Sequence, residues 1–152
     1  MNWDILDFAV FFGLLVAVAL AFRFAMRRSS QRTYRIGMGV ALAAAFILVW
    51  VNGAVGIIGN ENNGANMLFF GVLAVGVVGA VIARFRAMGM ARALLATAIA
   101  QVVVACVALF AGWGTAGPAW PMDVLVLTVF FVALWLTAAA LFRHSARQLP
   151  SR

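Results

Sequence analysis

The chain has 152 residues, 66% of them apolar and 10% charged, where a soluble domain carries about half apolar and about a quarter charged residues. Water leaves nowhere for that surplus apolar surface, so lipid must be the solvent for much of the chain. The net charge of +7, from eleven arginines without a lysine against four acids, does not point to nucleic acid, because basic residues in a membrane protein first serve topology.

Five apolar stretches follow in chain order, at about 5–26, 36–58, 67–83, 93–111 and 124–142. Each approaches the ~20 residues that cross ~30 Å of hydrocarbon as a helix. The alternating pattern of a β-barrel strand is absent. The expectation is an all-α, polytopic transmembrane helix bundle of five spans forming one integral membrane domain over 1–152. The first stretch starts at Asp4 and Asp7 and is followed by arginines. That order fits a retained signal-anchor, since a cleaved signal peptide starts from a basic segment.

Charge tests the span count. Arg23, Arg27, Arg28, Arg32 and Arg35 surround the first connection, Arg84, Arg86 and Arg92 the third, and Arg143, Arg147 and Arg152 the tail. Asp4, Asp7, Glu61 and Asp123 fall at the other helix ends. Five spans put every arginine on one side and every acid on the other; one span more or fewer scatters them. Positive charge stays in the cytoplasm, which predicts an N-terminus outside and a C-terminus inside. Trp3, Trp50, Trp113 and Trp120 then fall at the outer boundary and Tyr34 at the inner one, with Trp135 inside a span. The Arg-rich inner face is expected to hold anionic lipid headgroups.

The stretch WVNGAVGIIGNENNGAN, 50–66, is the richest in polar residues. Gly53, Gly56 and Gly59 recur every three residues, which predicts a small-residue groove on the outer half of helix two, with Asn52 one turn from Gly56. GNENNGAN is turn chemistry, and Asn66 is the expected N-cap of helix three. One reading is close packing with Asn52 bonding across the interface. The other is an outward-facing pocket of Asn60, Glu61, Asn62, Asn63 and Asn66 for a cation or small ligand. Its oxygens suit a hard cation, but Glu61 is its one carboxylate and the spacing is not that of an EF-hand. Turns account for nearly every residue type here except Asn52 inside the span.

That stretch, from VWVNG onward, and IARFRAMGMARALLATAIAQ (82–101) resemble a family of small polytopic bacterial inner-membrane proteins known only as uncharacterised. The resemblance spans about Tyr34 to Arg143. It implies the bacterial inner (cytoplasmic) membrane and carries no activity, ligand or residue role.

Helix three offers Gly76, Gly79 and Ala80. The pairs Gly76–Ala80 and Gly79–Ala83 are small-xxx-small spacings that favour close helix crossing. Helix four carries Gln101 near its midpoint, with Thr97 one turn before it. A buried amide needs a partner, so this face is expected to point into the bundle, as an interhelical bond or as the lining of a polar path. No Asp, Glu, Lys or His lies near the middle of any span, where a proton-coupled carrier needs an ionisable group. His144 is the sole histidine and sits in the basic tail. Cys106, the sole cysteine, is expected to be buried in helix four and inert. No residues have the spacing for catalysis, a metal or a cofactor. The leading expectation is a non-enzymatic protein of structural or interaction type, serving as accessory, scaffold or assembly factor, with a membrane-protein partner or a second copy of itself. The alternative is a small channel or uncoupled permease for a neutral or cationic solute, built around Asn52 and Gln101.

Overall fold

The computed structural model describes residues 4–148; Trp3 and Arg152 lie outside the described residues. It is all-helical. The long helices are α1 (Ile5–Arg28), α2 (Arg32–Ala54), α3 (Leu68–Ile82), α4 (Ala87–Phe110) and α5 (Met122–Arg147), and a single 3-10 turn, Gly64–Met67, leads into α3. With that turn counted into α3, all five are long and apolar enough to cross a membrane.

Local chemistry sets the ends. Asp4 accepts from the Asp7 amide at 2.9 Å and Asp7 returns the bond to the Asp4 amide at 3.1 Å. This reciprocal cap satisfies two free donors and puts negative charge on the positive end of the helix dipole. Arg27 and Arg28 occupy the opposite, last turn of α1. Helix α2 stops at Ala54, short of the expected 58, because Gly56 turns to φ +77. A left-handed residue cannot continue a right-handed helix. Helix α4 begins at Ala87, ahead of the expected 93, so Arg92 lies in its second turn.

Helices α4 and α5 form the most extensive seam; α2 lies along α5, α3 along α4, and α1 along α2. Helices α2 and α3 touch little, and α1 and α3 share no packed seam. The core between them is built from Leu48, Phe69, Phe131, Trp135 and Phe142, all buried. Phe142 receives the Tyr34 ring edge-on at 5.0 Å. In α1, Ala25 is the one buried residue among those described.

Alternating helix directions separate the charges. At one end, Arg28 donates to the Arg84 carbonyl at 3.0 Å, Thr33 donates to Gln148 at 3.2 Å, and Ser145 donates to Gln31. These bonds gather the α1–α2 connection, the α3–α4 connection and the end of α5. All the described arginines lie within about two turns of that end, while Asp4, Asp7, Glu61 and Asp123 lie at the other.

Candidate functional site

The acidic end is organised by Asn66. Its Oδ1 accepts from the backbone N–H of Ile57 at 3.0 Å and of Ile58 at 2.8 Å, and its Nδ2 donates to the Asn60 carbonyl at 2.7 Å. Its own carbonyl accepts from Asn52 Nδ2 at 3.0 Å. Asn66 is therefore a clamp at the centre of the loop and not the N-cap of α3, whose cap position, Met67, makes no side-chain bond. The clamp seals Ile57 and Ile58, fully buried, beneath the loop. These two residues extend the apolar run of helix two in sequence, yet they reach the core from irregular backbone, which leaves two buried N–H groups without a helical carbonyl, and the Asn66 side chain meets both.

The other asparagines serve turns. Asn60 Oδ1 accepts from the Asn62 amide and Asn63 Oδ1 from the Ala65 amide, each at 3.0 Å. These are the local side-chain-to-backbone bonds expected of Asn. Glu61 and Asn62 are exposed. The structure thus brings Asn52, Asn60, Asn63 and Asn66 together, with their amides aimed at backbone partners instead of converging on a shared space.

The expected glycine groove on helix two is corrected. Gly56 and Gly59 lie beyond the helix, both at φ +77, and a Cβ added to Gly53 would meet nothing within 4 Å. At Gly56 a Cβ would fall 2.3 Å from the Asn60 carbonyl carbon, so its role is to let the loop double back. At Gly59 a Cβ would fall 2.7 Å from Gly114 Cα, and at Gly117 one would fall 2.7 Å from the Gly59 carbonyl oxygen. Gly59, Gly114 and Gly117 therefore let the two loops of the acidic end touch backbone to backbone. The sequence held a signal for this, since Gly112, Gly114 and Gly117 cluster in the second loop as glycines do in the first. Nothing in the spacing alone says that the two clusters meet.

Deeper in the bundle, Gly76 and Gly79 face α4. A Cβ on Gly76 would lie 2.9 Å from Thr97 Oγ1, and one on Gly79 would lie 2.8 Å from Ala93 Cβ. Ala80 is buried on the same helix. Thr97 donates to the Ala93 carbonyl of its own helix at 2.8 Å, the back-bonding typical of Thr in apolar helices. Gln101 is fully buried and its Oε1 accepts from Trp135 Nε1 at 3.3 Å, the long end of the hydrogen-bond range. Gln101 Nε2, Asn52 Oδ1 and Thr128 Oγ1 are buried without a protein partner. Sequence reasoning missed Trp135 as the partner of Gln101. Cys106, expected to be buried, is exposed on α4. It follows buried Ala105, and one residue of helix turns it about 100° out of the packed stripe.

A crevice of about 520 Å³ lies toward the basic half of the bundle, between α1 and α3 and above Met38, Leu94 and Trp135. Its polar lining residues, Thr97 and Trp135, already commit their donors inside the bundle, so only apolar matter fits it. Phe24 and Phe85 meet edge-on at 5.1 Å among its lining residues. Arg84 and Phe85 both take positive φ, 52 and 57, at this turn. Consecutive left-handed non-glycine residues cost of order 1–3 kcal/mol each. Here Arg28 and Tyr34 hold the turn by donating to the carbonyls of Arg84 and Phe85, at 3.0 and 2.7 Å.

Compared with protein-family models, with curated proteins and with solved structures, the chain matches none.

Proposed function

We propose that this chain is a non-catalytic, multi-pass protein of the bacterial inner membrane, N-terminus outside and C-terminus in the cytoplasm, that acts as an accessory, scaffold or assembly protein through its helix faces. One observation carries this reading: each amide inside the apolar spans is buried and bonded through one of its ends to another part of the bundle. Asn52 is tied to the Asn66 carbonyl and Gln101 to Trp135, and neither lines the 520 Å³ crevice. A solute path needs polar groups facing a continuous space; these face protein. The helix faces left over are apolar, and α1 rests on the bundle mainly along α2. Its basic end suits anionic headgroups, because arginine near such a surface gains about 1 kcal/mol each.

A small channel or uncoupled permease is the second reading. It is favoured by Gln101 Nε2, which is buried without a partner. The test joins two measurements. Crosslinking in native membranes followed by purification is expected to recover a defined partner or a homo-oligomer. Proteoliposomes of the wild-type protein are expected to show no uptake of neutral or cationic solutes above empty vesicles. Protein-dependent uptake that vanishes in a still-folded Gln101→Leu variant would overturn the first reading in favour of the second.

A further inference from the structure

The basic end carries a more specific feature than its net charge. A groove of about 550 Å³ between α4 and α5 is lined by Met88, Ala91, Arg92 and Leu95 on one side and by Leu136, Ala139, Ala140 and Arg143 on the other. The spacing on each helix is three or four residues, so each set forms one continuous stripe facing its partner. Helix α4 enters the bilayer from the basic end and α5 leaves toward it. At 1.5 Å per residue, Leu95 therefore lies about 4.5 Å deeper than Arg92, and Leu136 about 10 Å deeper than Arg143. The groove holds its two charges in its shallower half, where Met88 also lies about 6 Å nearer the basic end than Arg92, and is apolar along its depth, and alanines keep its floor low.

The two guanidinium groups have no hydrogen-bond or ion-pair partner among the described residues, unlike Arg28 and Arg35, which donate to backbone carbonyls. The four acids are at the opposite end of the bundle. Two like charges sharing one groove repel unless an anion comes between them, and none of the described residues supplies one. The arginine fork matches a phosphate oxygen pair in two-point geometry, which an ammonium does not. Long arginine stems run along apolar surface while the head reaches the polar layer. We propose that the α4–α5 groove is a binding site for one anionic phospholipid, its phosphate bridged by Arg92 and Arg143 and one acyl chain lying along Leu95, Ala140 and Leu136. This deepens the reading that the basic end meets anionic headgroups, and rests on membrane insertion; it does not depend on the choice between scaffold and permease.

The experiment is native mass spectrometry of the full-length protein after equilibration with mixed micelles of phosphatidylglycerol and phosphatidylcholine. The wild type is expected to retain one phosphatidylglycerol in preference to phosphatidylcholine. Arg92→Gln and Arg143→Gln are each expected to weaken retention about ten-fold, and the double variant about a hundred-fold, from the charge-assisted hydrogen bonds to the phosphate that each guanidinium would lose. The double variant Arg84→Gln/Arg86→Gln removes the same charge outside the groove and is expected to weaken it much less. Ala140→Phe keeps both charges, fills an exposed lining position, and is expected to lower retention as strongly as one arginine loss. Thermal melting of each variant separates lost binding from lost folding, and flotation with vesicles separates failure of this site from failure of membrane insertion. Equal losses in the two double-arginine variants would reduce the site to diffuse charge. Undiminished retention in Ala140→Phe would remove the acyl chain from the groove. Displacement of the lipid by inorganic phosphate at equal concentration would show an anion site that does not read lipid. Retention of no lipid by a folded wild-type protein would overturn the proposal outright.

Discussion

Replacing Asn66 with alanine removes three hydrogen bonds at once. The amides of Ile57 and Ile58 lose their acceptor and the Asn60 carbonyl loses its donor. Ile57 and Ile58 are fully buried, and a buried donor left unmade costs about 1–3 kcal/mol. The Asn60 carbonyl belongs to an exposed residue and water can replace its partner. The expected loss is therefore about 3 kcal/mol, the lower half of the two-donor range, because the loop can loosen to admit water. Asn52→Leu makes the opposite case. It deletes one bond of 3.0 Å but also removes Asn52 Oδ1, which is buried without a partner. The two effects nearly cancel, for a change within about 1 kcal/mol. Asn66→Asp keeps the acceptor for Ile57 and Ile58 but sets a second oxygen against the Asn60 carbonyl and buries an acid, so it is expected to cost more than Asn52→Leu. Reversible unfolding in mixed micelles, followed by circular dichroism against rising dodecyl sulfate, measures all three. An Asn66→Ala variant within about 0.5 kcal/mol of wild type, the range of an ordinary surface change, would refute the clamp. So would an Asn52→Leu variant that costs more than Asn66→Ala.

Gly59→Ala is expected to lower stability by about 1–3 kcal/mol, from a left-handed φ and a methyl set against Gly114; Gly53→Ala, in open space on α2, should be neutral or raise stability by up to ~1 kcal/mol. The same unfolding assay ranks them, and equal losses would contradict the loop placement of Gly59. Gly79→Leu should cost at least the ~1–3 kcal/mol of an overpacked core, because Ala93 lies 2.8 Å from the would-be Cβ; a melting temperature equal to wild type would speak against the α3–α4 seam. For orientation, in a Cys106→Ala background, Asn63→Cys and Thr115→Cys should react with an impermeant thiol reagent on intact cells, and Ser30→Cys and Ala146→Cys should not. Labelling at Ser30→Cys would reverse the topology.

The five helices and the separation of charge were legible because both follow from composition and length, which lipid enforces without help from tertiary detail. A span needs about twenty apolar residues wherever it packs. The acidic-end limit of helix two was not legible for a related reason. Val55, Ile57 and Ile58 are as apolar as any helix residue, so hydropathy ran the span through them. The deciding signal was positional: a glycine at 56 followed by another at 59, with four asparagines after them, offers left-handed backbone and side-chain acceptors together. Read as a three-residue period, the glycines suggested a groove; read as conformational permits, they end the helix.

The same distinction governs the polar groups in the spans. Sequence could say that Asn52 and Gln101 need partners, but not whether the partner is a side chain, a backbone carbonyl or a solute, since all satisfy the amide. The structure gives Asn52 a backbone carbonyl in a loop and Gln101 an indole on α5. Each is met by one half of its amide, leaving the other half unpaired. A side chain kept for stability alone would be better replaced by an apolar one of similar shape, because the unmet half costs more than a single weak bond returns. What an amide adds is direction: it sets which residue of α5 lies opposite Gln101 and which turn of the loop lies over Asn52. In a bundle of nearly featureless apolar helices, where sliding by one turn exchanges one methyl surface for another, the Gln101–Trp135 bond sets the register of α4 on α5, while the close approach of Gly76 to Thr97 and of Gly79 to Ala93 sets that of α3 on α4.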